Sequence, residues 1–344
     1  MVYWGQGPGP CWVLCINRFT GNKDMGILEI MPKGIRIAGT TAWGPILGLV
    51  ALGLAVFPSP VEAGTCAKAN LRWASSSNRI YLSGPVTCTL TEIKGFLPSA
   101  PLTLVDPANS IWLLKANLLV QQGASLLLHG TAIGGDVDEL RLKSNNTGAS
   151  TDIIEIRAEW GAIDINTTNV TSWNEAAGGP DTEYQTRKRS YIRARSYFEP
   201  DGITKRESRM DIRDSDVGYL GYKGAEAYGL SWKVAGTDPA RFDTLDIFGS
   251  ITGSSIHHNY FGTYTYGAYA MEWKNNEIYG NVLYGIDPHD DSDSLLIEGN
   301  NVHHNGGHGV ICSQRCDHLT IRNNNSHDNA GNGIMLHRSV TDSL

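Results

Sequence analysis

Short stretches of alternating apolar and polar residues dominate the C-terminal third of the chain. Pieces such as SLLIEGN, LTIRNN and GVIC follow the two-residue period of a strand, and glycine and asparagine separate them. No stretch keeps the 3.6-residue period of a helix over a helical length. The pattern therefore predicts many short strands joined by tight turns.

These strands recur at a nearly fixed interval. The four-residue pieces IHHN, IYGN, VHHN and SHDN start at Ile256, Ile278, Val302 and Ser326, so the steps are 22, 24 and 24 residues. Such a period indicates stacked supersecondary units. Leucine-rich repeats would need a regular leucine spacing and propeller blades a longer repeat, so short strands here favour a parallel β-helix. Asparagines at matching positions are predicted to stack as a hydrogen-bonded ladder.

The same pattern continues upstream in a less regular form. Residues 111–130, 152–165 and 208–232 fit further coils, whereas 167–190 and 196–207 look like long loops on one side, where solenoids commonly bind. We divide the chain into an N-terminal extension with a secretion signal (1–63), an N-terminal cap region (64–100) and a β-helix domain (101–344). No cap follows the last coil, so we expect a truncated C-terminus.

The N-terminal extension resembles a secretion signal. Lys33 and Arg36 precede the apolar run 42–57, and Val61 and Ala63 suit the −3 and −1 positions of a cleavage site. We therefore expect a secreted protein, in the extracellular space or cell wall, with no stable membrane partner after cleavage. An uncleaved signal anchor is the alternative.

Cysteine usage is consistent with an oxidising route. We expect Cys66 to form a disulfide with Cys88 near the mature N-terminus. Cys312 and Cys316 either close a small loop or stay as free buried thiols. Four N-glycosylation sequons agree weakly with secretion; they start at Asn145, Asn166, Asn169 and Asn324.

Charge and motif content exclude several functions. The net charge of −7 argues against a general binder of nucleic acid or anionic membranes. No HExxH motif or Cys/His spacing typical of zinc appears. The acidic run after residue 289 lacks the glycine of a calcium loop and has Leu295 where a ligand belongs. The sequence therefore predicts no metal site and requires no cofactor.

The run YGIDPHDDSD, residues 284–293, concentrates phenol, imidazole and carboxylate groups around a proline. The 24-residue register predicts three stacked rows: Tyr284 with His308 and Asn332, His289 with Ser313 and His337, and Asp291 with Arg315. Aligning the earlier repeats adds further neighbours: Tyr269 beside Asp287, Met271 beside His289, and Lys233 in the row of His289. One outer face would then carry all these groups on rigid strands, which suits an extended polymer.

This set of side chains suits proton transfer at a carbon next to a carboxylate. A base removes the proton, a cation neutralises the carboxylate as charge builds on it, and an acid returns a proton, inverting the centre if it acts from the opposite face. By residue type, His289 is a candidate base, Tyr284 a candidate acid, and Arg315 or Lys233 the cation. Asp287 would orient a neighbour or bind sugar hydroxyls. The alternative is that each is an ordinary packing or turn residue.

Several motifs resemble the mannuronan C5-epimerases of alginate-making bacteria and brown algae. They are YGIDPHD (284–290), HGVICS (308–313) and NNNSHDN (323–329), while SYIRARSYFEPDGI (190–203) and VGYLGYKGAEAYGL (217–230) resemble the brown-algal branch. The similarity extends over roughly residues 100–344. It implies an all-β, right-handed, single-stranded parallel β-helix that converts β-D-mannuronate to α-L-guluronate within alginate, so the partner would be polymannuronate.

The resemblance also implies roles for individual residues. His289 would transfer a proton, Tyr284 and Asp287 would belong to the active site, and an arginine, here assigned to Arg315, would neutralise the substrate carboxylate. Bacterial members tend to carry that arginine one place earlier, where this chain has Gln314. Lys233, Arg338 and Arg195 are the alternatives for this cation. We add as substrate-binding candidates Lys233, His308, Asp290, Tyr269 and His337. Part of the family uses calcium, so Ca²⁺ stays an open alternative.

Two other functions remain open on the same residues. A polyuronate lyase would abstract the same proton and then eliminate the substituent at C4. A non-catalytic glycan-binding or cell-wall solenoid would bind alginate and leave its composition unchanged.

Overall fold

A computed structural model describes residues 64–144, 153–236, 242 and 244–344. The predicted leader, residues 1–63, lies outside this part of the chain. Within it, one α-helix, α1 (Leu90–Phe96), and three short 3₁₀ helices (Lys68–Asn70, Ser75–Ser77 and Thr131–Ile133) accompany thirty strands.

The strands of the N-terminal half are β1 (Gly64–Thr65), β2 (Leu71–Ala74), β3 (Arg79–Ser83), β4 (Val86–Cys88), β5 (Leu102–Asp106), β6 (Ile111–Leu114), β7 (Asn117–Gln121), β8 (Ser125–His129), β9 (Glu139–Lys143), β10 (Glu155–Glu159), β11 (Ala162–Asn166), β12 (Asn169–Asn174), β13 (Gly179–Pro180), β14 (Tyr191–Phe198) and β15 (Lys205–Arg206).

The strands of the C-terminal half are β16 (Arg209–Arg213), β17 (Asp216–Gly218), β18 (Gly229–Val234), β19 (Phe248–Thr252), β20 (Ser255–His257), β21 (Phe261–Tyr266), β22 (Glu272–Lys274), β23 (Glu277–Tyr279), β24 (Ile286–His289), β25 (Leu296–Glu298), β26 (Asn301–His303), β27 (Val310–Cys312), β28 (Thr320–Arg322), β29 (Asn325–His327) and β30 (Ile334–Leu336).

The strands stack into three long sheets, to which each coil adds one strand per sheet. Sheet 1 runs β1-β4-β8-β11-β16-β19-β22-β25-β28, sheet 2 runs β2-β3-β7-β10-β14-β18-β21-β24-β27-β30, and sheet 3 runs β29-β26-β23-β20-β17-β12-β9-β6-β5. Pairing between coils is parallel, and Ile256, Ile278 and Val302 are register partners. The repeat read from the sequence is therefore the coil of a parallel β-helix, and that prediction is confirmed.

Alternation of side chains explains where the core lies. In β9, β10 and β11 every second residue is buried, because successive side chains on a strand point to opposite faces. The inward residues are mostly aliphatic, with Trp232 and Trp273 fully buried among them. Each coil thus buries an apolar face that a single repeat has no way to bury alone.

The helix α1 lies in the region predicted as the N-terminal cap. Thr89 and Glu92 form a reciprocal capping box at its start, and Leu90 and Ile93 are buried in the core. The same region also supplies β1, β3 and β4 to the coil sheets, so stacking begins before residue 100.

Two buried asparagine ladders join successive coils, as predicted. The Nδ2 atoms of Asn276 and Asn300 donate to the Oδ1 atoms of Asn300 and Asn324, each over 2.9 Å. A second ladder runs through Asn259, Asn281, Asn305 and Asn329. Each amide also satisfies a backbone group at a turn that faces no water, which is why asparagine recurs there. Asn324, a predicted glycosylation acceptor, uses its side chain in the first ladder.

The cysteines separate into two classes. Cys66 and Cys88 form the predicted disulfide, whereas Cys312 and Cys316 are free and buried, which decides between the two alternatives left open for that pair. In the part of the chain that the structure describes, no helix is long and apolar enough to cross a membrane.

Candidate active site

Most of the predicted site residues lie on or beside the outer face of sheet 2. There, β18, β21, β24, β27 and β30 are consecutive, and residues two apart on a strand face the same side. Lys233 pairs with Tyr266, and Tyr266 pairs with His289. The Ser313 amide donates to the Pro288 carbonyl, and the His337 amide donates to the Cys312 carbonyl. The row therefore continues from His289 to Ser313 and His337. The predicted row containing Lys233, His289 and His337 is confirmed.

Two other predicted stacks are also present. The rings of Tyr284 and His308 stack with centroids 5.4 Å apart and planes 13° apart. Asp291 accepts from both Nε and a terminal nitrogen of Arg315, each over 2.9 Å. The 24-residue register therefore holds across the last coils.

The predicted register of Tyr269 and Met271 is wrong. Tyr264, not Tyr269, pairs with Asp287, and Tyr269 bridges to Asp293 and is 43% exposed. The alignment took Gly267 as the start of a strand. Gly267 instead has a φ of +71° and lies in the turn after β21, so the true step to β24 is 23 residues rather than 18. Met271 likewise comes just before β22, where its carbonyl accepts from the Leu296 amide, and it is not beside His289.

Asp287 is a buried carboxyl group at the centre of this face. It is 1% exposed and accepts one hydrogen bond, from the Ser313 hydroxyl over 3.3 Å. Burial raises the pKa of Asp287 to about 8, and the charge of Asp290 adds to the rise. Burial similarly raises the pKa values of the Tyr264 and Tyr284 phenols, with Asp287 as a secondary cause. These three groups therefore carry their protons near neutral pH and are hydrogen-bond donors.

His289 follows Asp287 by two residues and has the opposite protonation tendency. Burial lowers the pKa of His289, and the positive charges of Arg338 and Lys233 lower it further, while the Asp290 carboxylate opposes them. Its Nδ1 lies 3.2 Å from Asp290 Oδ2, a contact that becomes an ion pair only when the imidazole is protonated. A neutral imidazole with an unprotonated nitrogen is the form that accepts a proton.

Two cationic side chains near His289, those of Arg315 and Lys233, differ in the carboxylates that they pair with. Arg315 contacts both Asp290, over 3.4 Å, and Asp291, over 2.9 Å. Lys233 Nζ pairs with Glu226 over 2.8 Å and lies 4.8 Å from the centroid of the Tyr266 ring. Arg315 is therefore a fixed guanidinium next to the carboxylate that faces His289, and Lys233 is a second positive charge in the histidine's own row.

A wall of aromatic side chains adjoins these groups, and sequence reasoning missed it. Tyr264 and Tyr266 lie 5.6 and 6.2 Å from the His289 ring, and Phe261 lies 5.3 Å from the Tyr284 ring. Tyr228 and Tyr260 extend the cluster. The signal was present in FGTYTYG, where aromatic residues alternate along one strand.

Residues 167–190, predicted as a long loop, contain β12 and β13, and the segment after β13 contributes to the same wall. Tyr184 lies 6.2 Å from Tyr260, and the buried Arg189 anchors the loop by donating to the backbone oxygens of Leu220, Gly221 and His258. The loop thus flanks the outer face of sheet 2, as expected for a binding loop on a solenoid.

Among the described residues, one group brings three potential metal-ligand atoms close together: Cys66, Cys88 and Glu92. Both of these cysteines form the disulfide, so they are not available as thiolate ligands.

Comparison with known proteins agrees with this fold. A protein-family model described as "Right handed beta helix region" matches residues 241–343. The fold is therefore a right-handed parallel β-helix. Solved structures of the periplasmic alginate epimerase AlgG share it, with a TM-score of 0.64 at 24% identity over 77% of this chain and 57% of that one.

The chain is similar to mannuronan C5-epimerases. The mannuronan C5-epimerase of Pseudomonas aeruginosa is 29% identical over 227 residues, which are 65% of this chain and 37% of that protein. The mannuronan C5-epimerase AlgG of Azotobacter vinelandii is 29% identical over 236 residues, or 68% of this chain and 40% of that protein. This chain thus spans two fifths or less of the length of these curated relatives.

Proposed function

We propose that this chain is a mannuronan C5-epimerase that converts β-D-mannuronate to α-L-guluronate residues within alginate. The observation that carries the proposal is the grouping of His289 and Asp287 on the outer face of sheet 2, with Tyr284 beside them just before β24. Similarity to curated mannuronan C5-epimerases supports the substrate. The two motifs around residues 190–230 favour the brown-algal branch.

The reaction begins with removal of the C5 proton, which is acidified by the adjacent carboxylate. His289 is the base, because burial and two nearby positive charges keep its imidazole neutral and able to accept a proton. Negative charge then develops on the substrate carboxylate. Arg315 neutralises that charge, and Lys233 adds a second cation along the same row.

Protonated groups stabilise the intermediate and complete the inversion. Asp287 holds a proton near neutral pH, so it donates a hydrogen bond to the anion instead of repelling it. Tyr284, whose phenol also stays protonated, returns a proton to C5 from the face opposite His289. Proton removal and return on opposite faces convert the mannuronate centre to guluronate.

The polymer lies along the outer face of sheet 2. The aromatic wall formed by Tyr228, Phe261 and Tyr264 offers apolar area for sugar rings. His308, Asp290 and His337 are adjacent polar contacts, whereas Tyr269 is displaced from this row and drops out of the binding set. Proton transfer by these side chains calls for no organic cofactor, and Ca²⁺ enters no step.

We also propose that the protein is exported and acts outside the cytoplasm, in the extracellular space or cell wall. The Cys66–Cys88 disulfide supports an oxidising compartment. The alginate epimerase AlgG whose fold it shares is described as periplasmic.

Product analysis after incubation with polymannuronate tests the activity. The full chain should create guluronate signals in the proton NMR spectrum without shortening the polymer. A lyase would instead produce the ultraviolet absorbance of a new double bond, and a binding solenoid would leave the polymer unchanged. Either of these outcomes from folded wild-type protein overturns the proposal.

A further inference from the structure

A stack of three imidazole rings and one tyrosine ring lies on sheet 3, away from the residues that the proposed reaction uses. His257, Tyr279, His303 and His327 occupy the same position in successive coils. Their rings stack face to face at 5.0 to 5.3 Å. The ring of His303 is held between Tyr279 and His327 and has little freedom to turn.

The residue after each stacked ring occupies a left-handed turn. His258, Gly280, His304 and Asp328 have φ values of +53°, +60°, +55° and +51°. Consecutive side chains in a strand would point to opposite faces, and this turn brings them to the same side. As a result, Nδ1 of His303 and Nδ1 of His304 share a hydrogen bond of 2.7 Å, and the His257–His258 pair repeats it at 2.9 Å. An ion that binds both nitrogens would replace the proton that they share.

The contact of Nε2 with Glu277 sets the tautomer of His303. Its Nε2 lies 3.2 Å from Oε1 of Glu277 and donates to that carboxylate, so Nδ1 carries a lone pair. A carboxylate behind an imidazole is the arrangement that orients histidine ligands and raises their basicity in metal sites. His304 is exposed and shifts its proton to the outward nitrogen when its Nδ1 is needed as a ligand.

The spacing of the two nitrogens fits adjacent ligands of one metal ion. Metal–nitrogen bonds of about 2.0 Å place neighbouring ligands about 2.8–2.9 Å apart in square-planar geometry and about 3.3 Å apart in tetrahedral geometry. We propose that Nδ1 of His303 and Nδ1 of His304 bind one late first-row divalent ion with tetragonal preference, Cu²⁺ or Ni²⁺, with water in the remaining positions.

The local charge favours this pair over the His257–His258 pair. Asp328 Oδ2 lies 2.8 Å from Nδ1 of His327, whose ring stacks on that of His303, so a second carboxylate lies near the proposed ion. At the other pair, Asp216 lies behind His257, but the Arg189 guanidinium donates to the backbone oxygen of His258 and its charge opposes a cation. The first equivalent of metal therefore goes to His303 and His304.

Copper titration of the full chain, free of any affinity tag, tests the site. His304→Asn removes one ligand at a position where asparagine tolerates the left-handed turn. His318→Asn is the matched control, because His318 is also exposed and has a φ of +57°. The titration uses glycine as a competing chelator. We expect His304→Asn to raise the Kd for the first equivalent of Cu²⁺ at least tenfold, and His318→Asn to change that Kd less than twofold.

Pulsed EPR of the wild type with one equivalent of Cu²⁺ supplies a readout that does not depend on the variant folding. Two coordinated imidazoles are expected. At most one imidazole in that spectrum, an unchanged first equivalent in folded His304→Asn, or its loss in His258→Asn instead, would overturn the assignment.

Discussion

At the scale of single residues, the chemistry depends on opposite protonation tendencies two positions apart on β24. Asp287 is held protonated and His289 is held unprotonated, both because they are buried. The sequence identified these two residues and Tyr284 through the YGIDPHD motif. It gave no access to their protonation states, because those depend on burial by Tyr264 and its aromatic neighbours from other coils.

The raised pKa of Asp287 predicts how stability changes with pH. Its folded pKa of about 8 exceeds the ordinary value of 3.8, so the folded state holds this proton more tightly than the unfolded chain. That contribution is complete below about pH 4 and is lost as the pH rises through about 8. Asp287→Asn stays neutral throughout, so its stability relative to wild type should rise between pH 4 and 8.

Urea unfolding at several pH values measures this difference. Asp342→Asn, at an exposed position, is the control and should track the wild type. A constant offset between Asp287→Asn and wild type across that range would show that Asp287 titrates normally.

The role of Arg315 predicts a loss of rate rather than of stability. Removing a charge that stabilises the transition state costs about 10²–10³ in kcat, so Arg315→Gln should lose roughly that factor. Arg322→Gln is a matched control, because Arg322 pairs with Glu298 one coil away in the same manner but on sheet 1. Equal kcat values for the two variants would remove Arg315 from the mechanism.

At the scale of elements, the asparagine ladders hold the turns of successive coils together. Asn300 lies in the middle of one ladder and is 1% exposed. Asn300→Ala leaves the amides of Asn276 without their acceptor, and an unsatisfied buried polar group costs about 1–3 kcal/mol. We expect the variant to lose about 2–3 kcal/mol of unfolding free energy.

Chemical denaturation checks the ladder prediction. Asn325→Ala, which removes an exposed hydrogen bond to Asn301, should change the unfolding free energy by less than about 0.5 kcal/mol. Similar losses in the two variants would mean that the ladder adds nothing beyond a surface hydrogen bond.

The sequence predicted the elements correctly wherever the repeat length was regular. Spacing and alternation were enough to identify the coil, the ladders and the rows across the last coils. The same reasoning misplaced Tyr269, because coil length changes between β21 and β24 and a glycine in a turn was aligned as a strand residue. One-dimensional spacing does not reveal where a coil is shorter or where a bulge shifts the register.

At the scale of the whole molecule, the stacked coils of sheet 2 present one outer face that carries the candidate proton-transfer groups. A rigid solenoid places groups from separate coils in fixed positions, so the proposed polymer substrate would meet a prepared site. The sequence was sufficient to predict this architecture. The alternating aromatic residues and the paired histidines are present in the sequence, but the contacts of their rings between coils needed the structure.

Proton NMR of polymannuronate incubated with the protein in heavy water is the most direct test of the central claim, that His289 and its neighbours exchange the proton at C5. The wild type and His318→Asn should produce guluronate with deuterium at C5. His289→Ala should be slower by about 10²–10⁴, the usual contribution of one acid–base residue. Guluronate that retains its original hydrogen, or equal rates in wild type and His289→Ala, would contradict the account.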